Sequence, residues 1–365
     1  MTDIRVGVLG ATGYIGTPYR AEMREVDGVQ IVGVNARRRD LLKKAAAEDA
    51  ATLVTDRWEE IVACDEINFV IVGTPDALHY EPVLACAEAG KHVLCEKPVG
   101  KNATEASAMY EAYKDRTHLA HFVPFWTRYV DIFRRAKEIV ESGRLGEIKG
   151  VVYRWHNPRP ANMPLTWRDN ADLSAGGSIA DVGSHAYDTV CWILGDEAKR
   201  VLTHADTITP GKADLGEINL DEALQWGAGS TTADTIRRGT TPDYAGMAWE
   251  FHQGAVGLLM VSHSTWFRKG LCPELELHGT EASLAINRVT GDVLLGQPDQ
   301  PPERMESVPD DGFGNRFEKY VFPVVRSIMD GQSPPEHPNL FNGWRVQSFT
   351  DAALRSAQEG TWAHV

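Results

Sequence analysis

Three groups of residues in this chain have the types and spacing to do chemistry. Gly10-Ala11-Thr12-Gly13-Tyr14-Ile15-Gly16 follows directly on an apolar run, Ile4 to Leu9. A glycine turn between a strand and a helix lets the backbone approach a pyrophosphate and brings the helix N-terminus to its charge. The spacing is G-x-x-G-x-x-G, with Thr12 where the middle glycine of G-x-G-x-x-G would stand. Gly10, Ala11, Thr12, Gly13, Tyr14 and Ile15 are therefore expected to hold a dinucleotide, while the role of each glycine stays open. Glu96-Lys97-Pro98 places an ammonium just after another apolar run, where it could polarise a substrate oxygen and relay a proton. A solvated surface lysine is the plainer alternative. Asp181 and His185 share a face if they lie on a helix. Histidine titrates near neutrality and suits a general acid or base, and the Asp could orient it or touch a substrate hydroxyl. Spacing alone favours a capping Asp and a packed core His.

These residues need a scaffold, and the first half of the chain reads as one. Strands are expected at Ile4 to Leu9, Gln30 to Asn35, Phe69 to Gly73, His92 to Glu96 and His118 to Val123. Helices are expected at Tyr19 to Val26, Leu41 to Ala51, His79 to Ala89 and Thr104 to Lys114, the last with Asn102 as N-cap and Glu105 three residues on. This alternation predicts a doubly wound, mostly parallel α/β Rossmann sheet over residues 1–124, with ligands at the carboxyl ends of the strands. The second strand ends Asn35-Ala36-Arg37-Arg38-Arg39. A carboxylate there would bind the ribose hydroxyls of NAD. Asn35 has no charge, and Arg37 and Arg38 could pair with a 2′-phosphate, so NADP is favoured over NAD. Arginines opening a helix are also often merely solvated.

Composition narrows the function classes. A net charge of −14 disfavours nucleic acid and anionic lipid as partners. No apolar run is long enough to span a membrane, and no signal-peptide core precedes the first strand. The five cysteines are scattered, odd in number and never C-x-x-C, which fits a reducing cytoplasm. Nothing reads H-E-x-x-H, so no metal is expected.

Gly73-Thr74-Pro75-Asp76-Ala77-Leu78-His79 and Ala89-Gly90-Lys91-His92-Val93-Leu94-Cys95-Glu96-Lys97-Pro98 resemble motifs of the Gfo/Idh/MocA family, the glucose–fructose oxidoreductase and inositol dehydrogenase group. The resemblance continues through Gly176 to Asp188, which contains Asp181-Val182-Gly183-Ser184-His185, and returns at Ser356 to Trp362. It implies hydride transfer between NAD(P) and sugars, cyclitols or related compounds. It implies that Lys97, Asp181 and His185 are catalytic and reverses the packing reading of the last two. It further implies that Thr74, Pro75 and His79 line the cofactor and that Glu96 lies on the nicotinamide side. A homodimer or homotetramer is the family expectation. Relatives that keep NAD bound and cleave glycosides supply one alternative; a non-catalytic NADP-sensing protein is another.

Beyond residue 125 the pattern changes. Glu147 to His156 reads as a strand, and Met247 to Phe251 with Ala255 to Ser262, then Leu275 to His278 with Ala282 to Ile286, read as hairpins. An α+β domain with a large, mostly antiparallel open sheet is expected over 125–365. Asn157 to Asn170 is rich in Pro and Trp, and Trp167-Arg168 resembles a pair found there in sugar-acting relatives. Flat aromatics stack on sugar rings and arginine donates to hydroxyls, so Arg154, His156, Trp167 and Arg168 are candidate substrate contacts, as are Lys97, Asp181 and His185. Packing is an equal alternative for the first four. Relatives often carry Asn-Tyr-Arg-Phe where this chain has Pro124-Phe125-Trp126-Thr127-Arg128-Tyr129, so an amide is lost and Phe125 adds aromatic surface. Residues 203–245, with weak periodicity, read as an irregular insertion or lid.

Overall fold

The computed structural model describes residues 3–160, 162–216, 218–227, 235–264, 272–309, 312 and 314–365. Two units are distinct in it. The first comprises Met1–Pro124, Glu217–Glu222 and Phe313–Gln347; the second comprises Phe125–Gly216, Ala223–Gly312 and Ser348–Val365. The chain leaves and re-enters each unit, which a division at a single position does not express.

The apolar runs of the first unit become strands. In chain order its first part holds β1 (Ile4–Leu9), α1 (Gly16–Arg24), β2 (Val29–Asn35), α2 (Arg39–Asp49), β3 (Leu53–Thr55), α3 (Trp58–Ala63), β4 (Phe69–Val72), α4 (Tyr80–Glu88), β5 (His92–Cys95), α5 (Ala103–Tyr113) and β6 (His121–Phe122). The six strands lie in the order β3-β2-β1-β4-β5-β6, and every neighbouring pair is parallel. Every residue of β4 and β5 is buried, as parallel strands covered on both faces require. The order reverses between β1 and β4, which puts the switch point at their carboxyl ends. On α1, Tyr19, Arg20 and Met23 turn inward along one helical face. Pro18 falls in its first turn, where a missing N–H costs no hydrogen bond. Asn102 caps α5 by accepting the Glu105 N–H at 2.9 Å. The expected parallel Rossmann sheet is therefore present, with β3 and α3 in addition; three and six residues are too few to show a period.

The second unit contains α6 (Asp131–Glu141), β7 (Ile148–His156), α7 (Ser184–Leu194) and β8 (Ala198–Asp206). Then follow β9 (Lys212–Ala213), α8 (Leu220–Gly227, its first three residues belonging to the first unit), β10 (Ile236–Arg237), β11 (Tyr244–Phe251), β12 (Val256–Ser262), β13 (Leu275–Gly279), β14 (Ser283–Asn287), β15 (Asp292–Gly296) and β16 (Glu303–Ser307). Of the closing elements, α9 (Phe322–Met329) belongs to the first unit, α10 (Leu340–Glu359) begins in the first and ends in the second, and β17 (Ala363–His364) belongs to the second. A nine-stranded sheet runs β16-β15-β14-β13-β7-β12-β11-β8-β17. It is antiparallel except where β12 pairs with β7 in parallel. Alternation sends Val151, Tyr153, Trp155, Met247, Trp249, Leu259 and Val261 to the buried face. Val256, Leu258 and Met260 of β12 point the other way and are exposed. Both expected hairpins form, β11 with β12 and β13 with β14.

One expectation needs correction. Residues 203–245 are not wholly an insertion: 203–206 complete β8 and 244–245 open β11, and the two stretches pair with each other in the sheet. Their Thr, Ala and Gly residues weakened the alternation without preventing pairing. Between them β9 pairs with β10 and α8 forms; residues 217 and 228–234 lie outside the described residues.

Candidate functional site

The glycine loop of the first unit is shaped by steric need. Gly10 has φ +77°, and a Cβ there would stand 2.5 Å from the Gly73 carbonyl oxygen, so both sign and space demand glycine. Gly16 opens α1 so close to the loop that a Cβ would come within 2.3 Å of the Gly10 carbonyl oxygen. The roles left open by the spacing are thus a left-handed turn for the first glycine and helix-to-loop packing for the third. The Gly10 and Ala11 N–H groups donate to the Asn35 carbonyl at 3.1 and 3.0 Å, tying the loop to the end of β2. From behind, buried Arg20 donates to the Ala11 carbonyl at 2.9 Å and the Ala45 carbonyl at 3.1 Å. It also meets Asp49 at 2.6 Å and Glu48 at 3.3 Å. No local motif announces Arg20, because its carboxylate partners lie on α2. Thr12, Gly13 and Ile15 are half-buried in the loop and Tyr14 is exposed. A loop this close to the backbone, opening the positive end of a helix dipole, fits a pyrophosphate.

The turns after β4 and β5 are joined by one imidazole. Fully buried His79 sets Nε2 2.8 Å from the Thr74 carbonyl oxygen and Nδ1 3.0 Å from that of Pro98. Burial lowers its pKa against the opposing pull of these carbonyls and of Glu96. His79 therefore acts as a clamp between the Thr74-Pro75 turn and the Glu96-Lys97-Pro98 turn, whose Lys97-Pro98 peptide is cis. Glu96 is buried and accepts from the Tyr19 hydroxyl at 2.5 Å and from the Lys97 N–H at 3.2 Å. Burial raises its pKa, with the Lys97 ammonium and the Tyr19 hydroxyl pulling the other way. Lys97 itself is half-buried at the carboxyl end of β5. Tyr19 is set in turn by Phe317, edge-on at 4.9 Å, and by Arg316 over its ring.

At the end of β2 the residues separate. The Asn35 amide is buried and donates to the Thr55 carbonyl at 3.2 Å, so it shapes the turn while its carbonyl holds the loop. Arg37 is exposed. Arg38 meets Glu222 at 2.6 Å, a partner 184 positions further along the chain that no local motif announces. The Glu222 carboxyl is held below its ordinary range; its burial is outweighed by the Asn219 N–H and the Arg38 guanidinium.

In the second unit a five-residue π-helical turn, Ile179–Gly183, leads into α7 and carries Asp181, with His185 in the first turn of α7. The Asp181 carboxylate lies 3.1 Å from Arg159, 3.7 Å from Arg168 and 3.1 Å from His263 Nε2. Burial lowers the His263 pKa in spite of Asp181. Arg159 and His263 are additions to the expected set; each sits at a strand end, Arg159 just after β7 and His263 just after β12. The Arg168 guanidinium also lies over the Trp167 ring at 4.3 Å. The His185 ring stacks on Trp155 at 5.8 Å and meets the edge of Phe125 at 6.1 Å. The Arg288 guanidinium also lies over the Trp155 ring at 4.1 Å. The helix that carries His185 is bolted down by a buried bidentate pair, Arg128 with Asp188 at 2.8 and 2.6 Å.

The substrate candidates of this unit are thus not all together. Trp167, Arg168 and Asp181 cluster. Phe125 is fully buried, so it backs His185 and offers no open aromatic surface. Arg154 and His156 alternate with Trp155 along β7 and project from the opposite face of the strand, where Arg154 pairs with Glu276. Among the described residues no group of three or more His, Cys, Asp or Glu is placed to hold a metal, and no helix is long and apolar enough to cross a membrane.

Comparison with known proteins bears on both units. Residues 4–122 match the model of an oxidoreductase family with an NAD-binding Rossmann fold, and residues 133–285 match the GFO/IDH/MocA C-terminal domain. The chain is 31% identical over 365 residues to scyllo-inositol 2-dehydrogenase (NADP(+)) of Bacillus subtilis, covering 98% of this chain and 94% of that protein. It is 28% identical over 356 residues to levoglucosan dehydrogenase of Pseudarthrobacter phenanthrenivorans, covering 89% and 87%. A levoglucosan dehydrogenase structure in complex with NADH and L-sorbose superposes with a TM-score of 0.81 at 25% identity, covering 100% of this chain and 99% of that one.

Proposed function

This chain belongs to the GFO/IDH/MocA oxidoreductase family, and from that premise we propose that it transfers hydride between a nicotinamide dinucleotide and a ring hydroxyl or ketone of a sugar, glycoside or cyclitol. The substrate class is that of the levoglucosan and inositol dehydrogenases it resembles. The observation that carries the reading is the Glu96-Lys97-Pro98 turn at the carboxyl end of β5, with Glu96 locked by Tyr19 and the turn clamped by His79.

When bound, the nicotinamide ring gives or takes the hydride. The protein's part is to hold the dinucleotide and manage the proton. Gly10, Ala11, Thr12, Gly13, Tyr14 and Ile15 would cradle the pyrophosphate, and Thr74, Pro75 and Glu96 would form the wall beyond it, with buried His79 supporting that wall from behind. Lys97 would place its ammonium against the substrate oxygen, stabilising the charge that develops as the hydride moves. His185, held between Trp155 and Phe125, would exchange the hydroxyl proton. Asp181 would orient the substrate, itself fixed by Arg159, Arg168 and His263. Trp167 and Arg168 would meet the sugar ring. The uncharged, buried Asn35 puts no carboxylate against a 2′-phosphate, and Arg37 and Arg38 follow it, which supports NADP over NAD. The scattered free cysteines suit a reducing cytoplasm. The exposed row Val256, Leu258 and Met260 supports a homodimer or homotetramer.

The test is a titration with NADPH and NADH followed by a panel of sugars, cyclitols and their keto forms. Lys97→Ala is expected to lower kcat at least a hundredfold while dinucleotide affinity stays within a fewfold. Turnover that survives the substitution removes Lys97 from the chemistry, and binding without turnover of any polyol or carbonyl favours a sensor.

A further inference from the structure

The Rossmann unit lacks an acid at the end of β2 but gains one from its own distant stretch Glu217–Glu222. Glu222 stands in the first turn of α8, and its two oxygens are divided between two tasks. Oε2 accepts the Asn219 N–H at 2.9 Å while the Asn219 side chain accepts the Glu222 N–H at 2.9 Å, a reciprocal capping box. Oε1 takes Arg38 at 2.6 Å. The cap fixes the carboxylate in place, so Arg38 meets a pre-positioned anion. Both side chains are about a third exposed, 38% for Arg38 and 35% for Glu222, which leaves the pair open to a ligand. Asp40, at 3.9 Å, is a more distant second acid on the same guanidinium. Arg39 is turned away to Asp56 at 2.8 Å.

We propose that Glu222 is a specificity-determining residue for the dinucleotide: it neutralises Arg38 and competes with a ribose 2′-phosphate for that guanidinium. With a bare 2′-hydroxyl the Arg38–Glu222 pair stays intact and nothing is left unpaired. With a 2′-phosphate, Arg38 must exchange one anion for another, and the displaced carboxylate stands beside the phosphate as a like charge. Glu222 therefore narrows the gap between NADP and NAD that Asn35 and the arginines would otherwise open. The inference rests on the reading that Arg38 meets the adenosine ribose.

The experiment measures dissociation constants for NADPH and NADH with the full-length protein and with Glu222→Gln, Arg38→Gln and the double variant, at low and moderate salt. Glutamine keeps the capping box, so the helix is preserved. Glu222→Gln is expected to tighten NADPH about tenfold and leave NADH within twofold. Arg38→Gln is expected to weaken NADPH, and in its background Glu222→Gln should have almost no effect, because the competition has lost its object. If Arg38→Gln weakens NADPH but Glu222→Gln leaves the NADPH-to-NADH ratio unchanged, the role of Glu222 is overturned while that of Arg38 stands. If Arg38→Gln leaves NADPH binding untouched, the reading beneath it fails as well. Equal tightening of both dinucleotides by Glu222→Gln would mark a general electrostatic effect and likewise overturn the proposal.

Discussion

At the scale of single residues, the side chains that hold the site are of two kinds. The proposed roles of Lys97, Asp181 and His185 rest on local motifs: each stands a few positions from residues that share its element. Arg20, Arg159, His263 and Glu222 have no such motif, since each acts on a partner brought near only by folding. Arg20 shows what the second kind is worth. Its side chain is 3% exposed and Asp49 is fully buried beside it. Arg20→Met would strip two buried carbonyls of their donor and leave Asp49 to Arg24 alone. The expected loss is about 3 kcal/mol of stability, read by urea unfolding. The Ala11 carbonyl would also be released, so dinucleotide affinity should fall although Arg20 touches no ligand. Unchanged affinity in a folded variant would show that the loop holds its shape unaided.

Elements differ in how plainly a sequence declares them. The runs Ile4–Leu9, Phe69–Val72 and His92–Cys95 declared themselves by continuous apolar character, since both faces are covered. Strand β3 is too brief to do so, and β8 hides its period behind Thr203 and Ala205. In β7 the alternation was legible, but its consequence for Arg154 and His156 was not, because which face meets α7 depends on the whole sheet. Strands β5 and β6 carry a further property, since each uses a histidine as a base. His92 Nδ1 accepts the Ala120 N–H at 2.8 Å, and His121 Nδ1 accepts the Leu340 N–H at 3.3 Å. Burial, aided by His118 near the first and His337 near the second, lowers both pKa values to about 4. The unfolded chain, with histidines near 6.5, takes up these protons first, so stability falls as pH drops from about 6.5 toward 4. Buried His92 alone accounts for about 3 kcal/mol at the bottom of that window. Unfolding midpoints at pH 7.5, 6 and 5 would trace the slope, and His92→Gln should flatten it. A midpoint that rises on acidification in this window contradicts the assignment.

For the molecule as a whole, the return of residues 313–347 to the first unit decides what that unit is. Phe317 and Arg316 pack on the Tyr19 ring, and Arg316 pairs with Glu22. Phe322 meets Phe69 edge-on at 6.1 Å. The Pro338 carbonyl accepts the Val123 N–H at 3.0 Å. The sequence pattern shows the Rossmann alternation complete by residue 124 and gives no sign that it leans on a segment so far downstream. Yet Tyr19 is the residue whose hydroxyl holds Glu96. Residues 1–124 are therefore not a portable dinucleotide-binding module. Excised alone, they would expose the Tyr19 and Phe69 rings, and the fragment is expected to aggregate or to bind dinucleotide at least tenfold more weakly than the full chain. Joining 313–347 back through a short linker should restore much of both solubility and binding. Anyone transplanting this cofactor site into another enzyme would have to carry two separated stretches of chain, and a recombination point placed at residue 124 would sever the site from its own support.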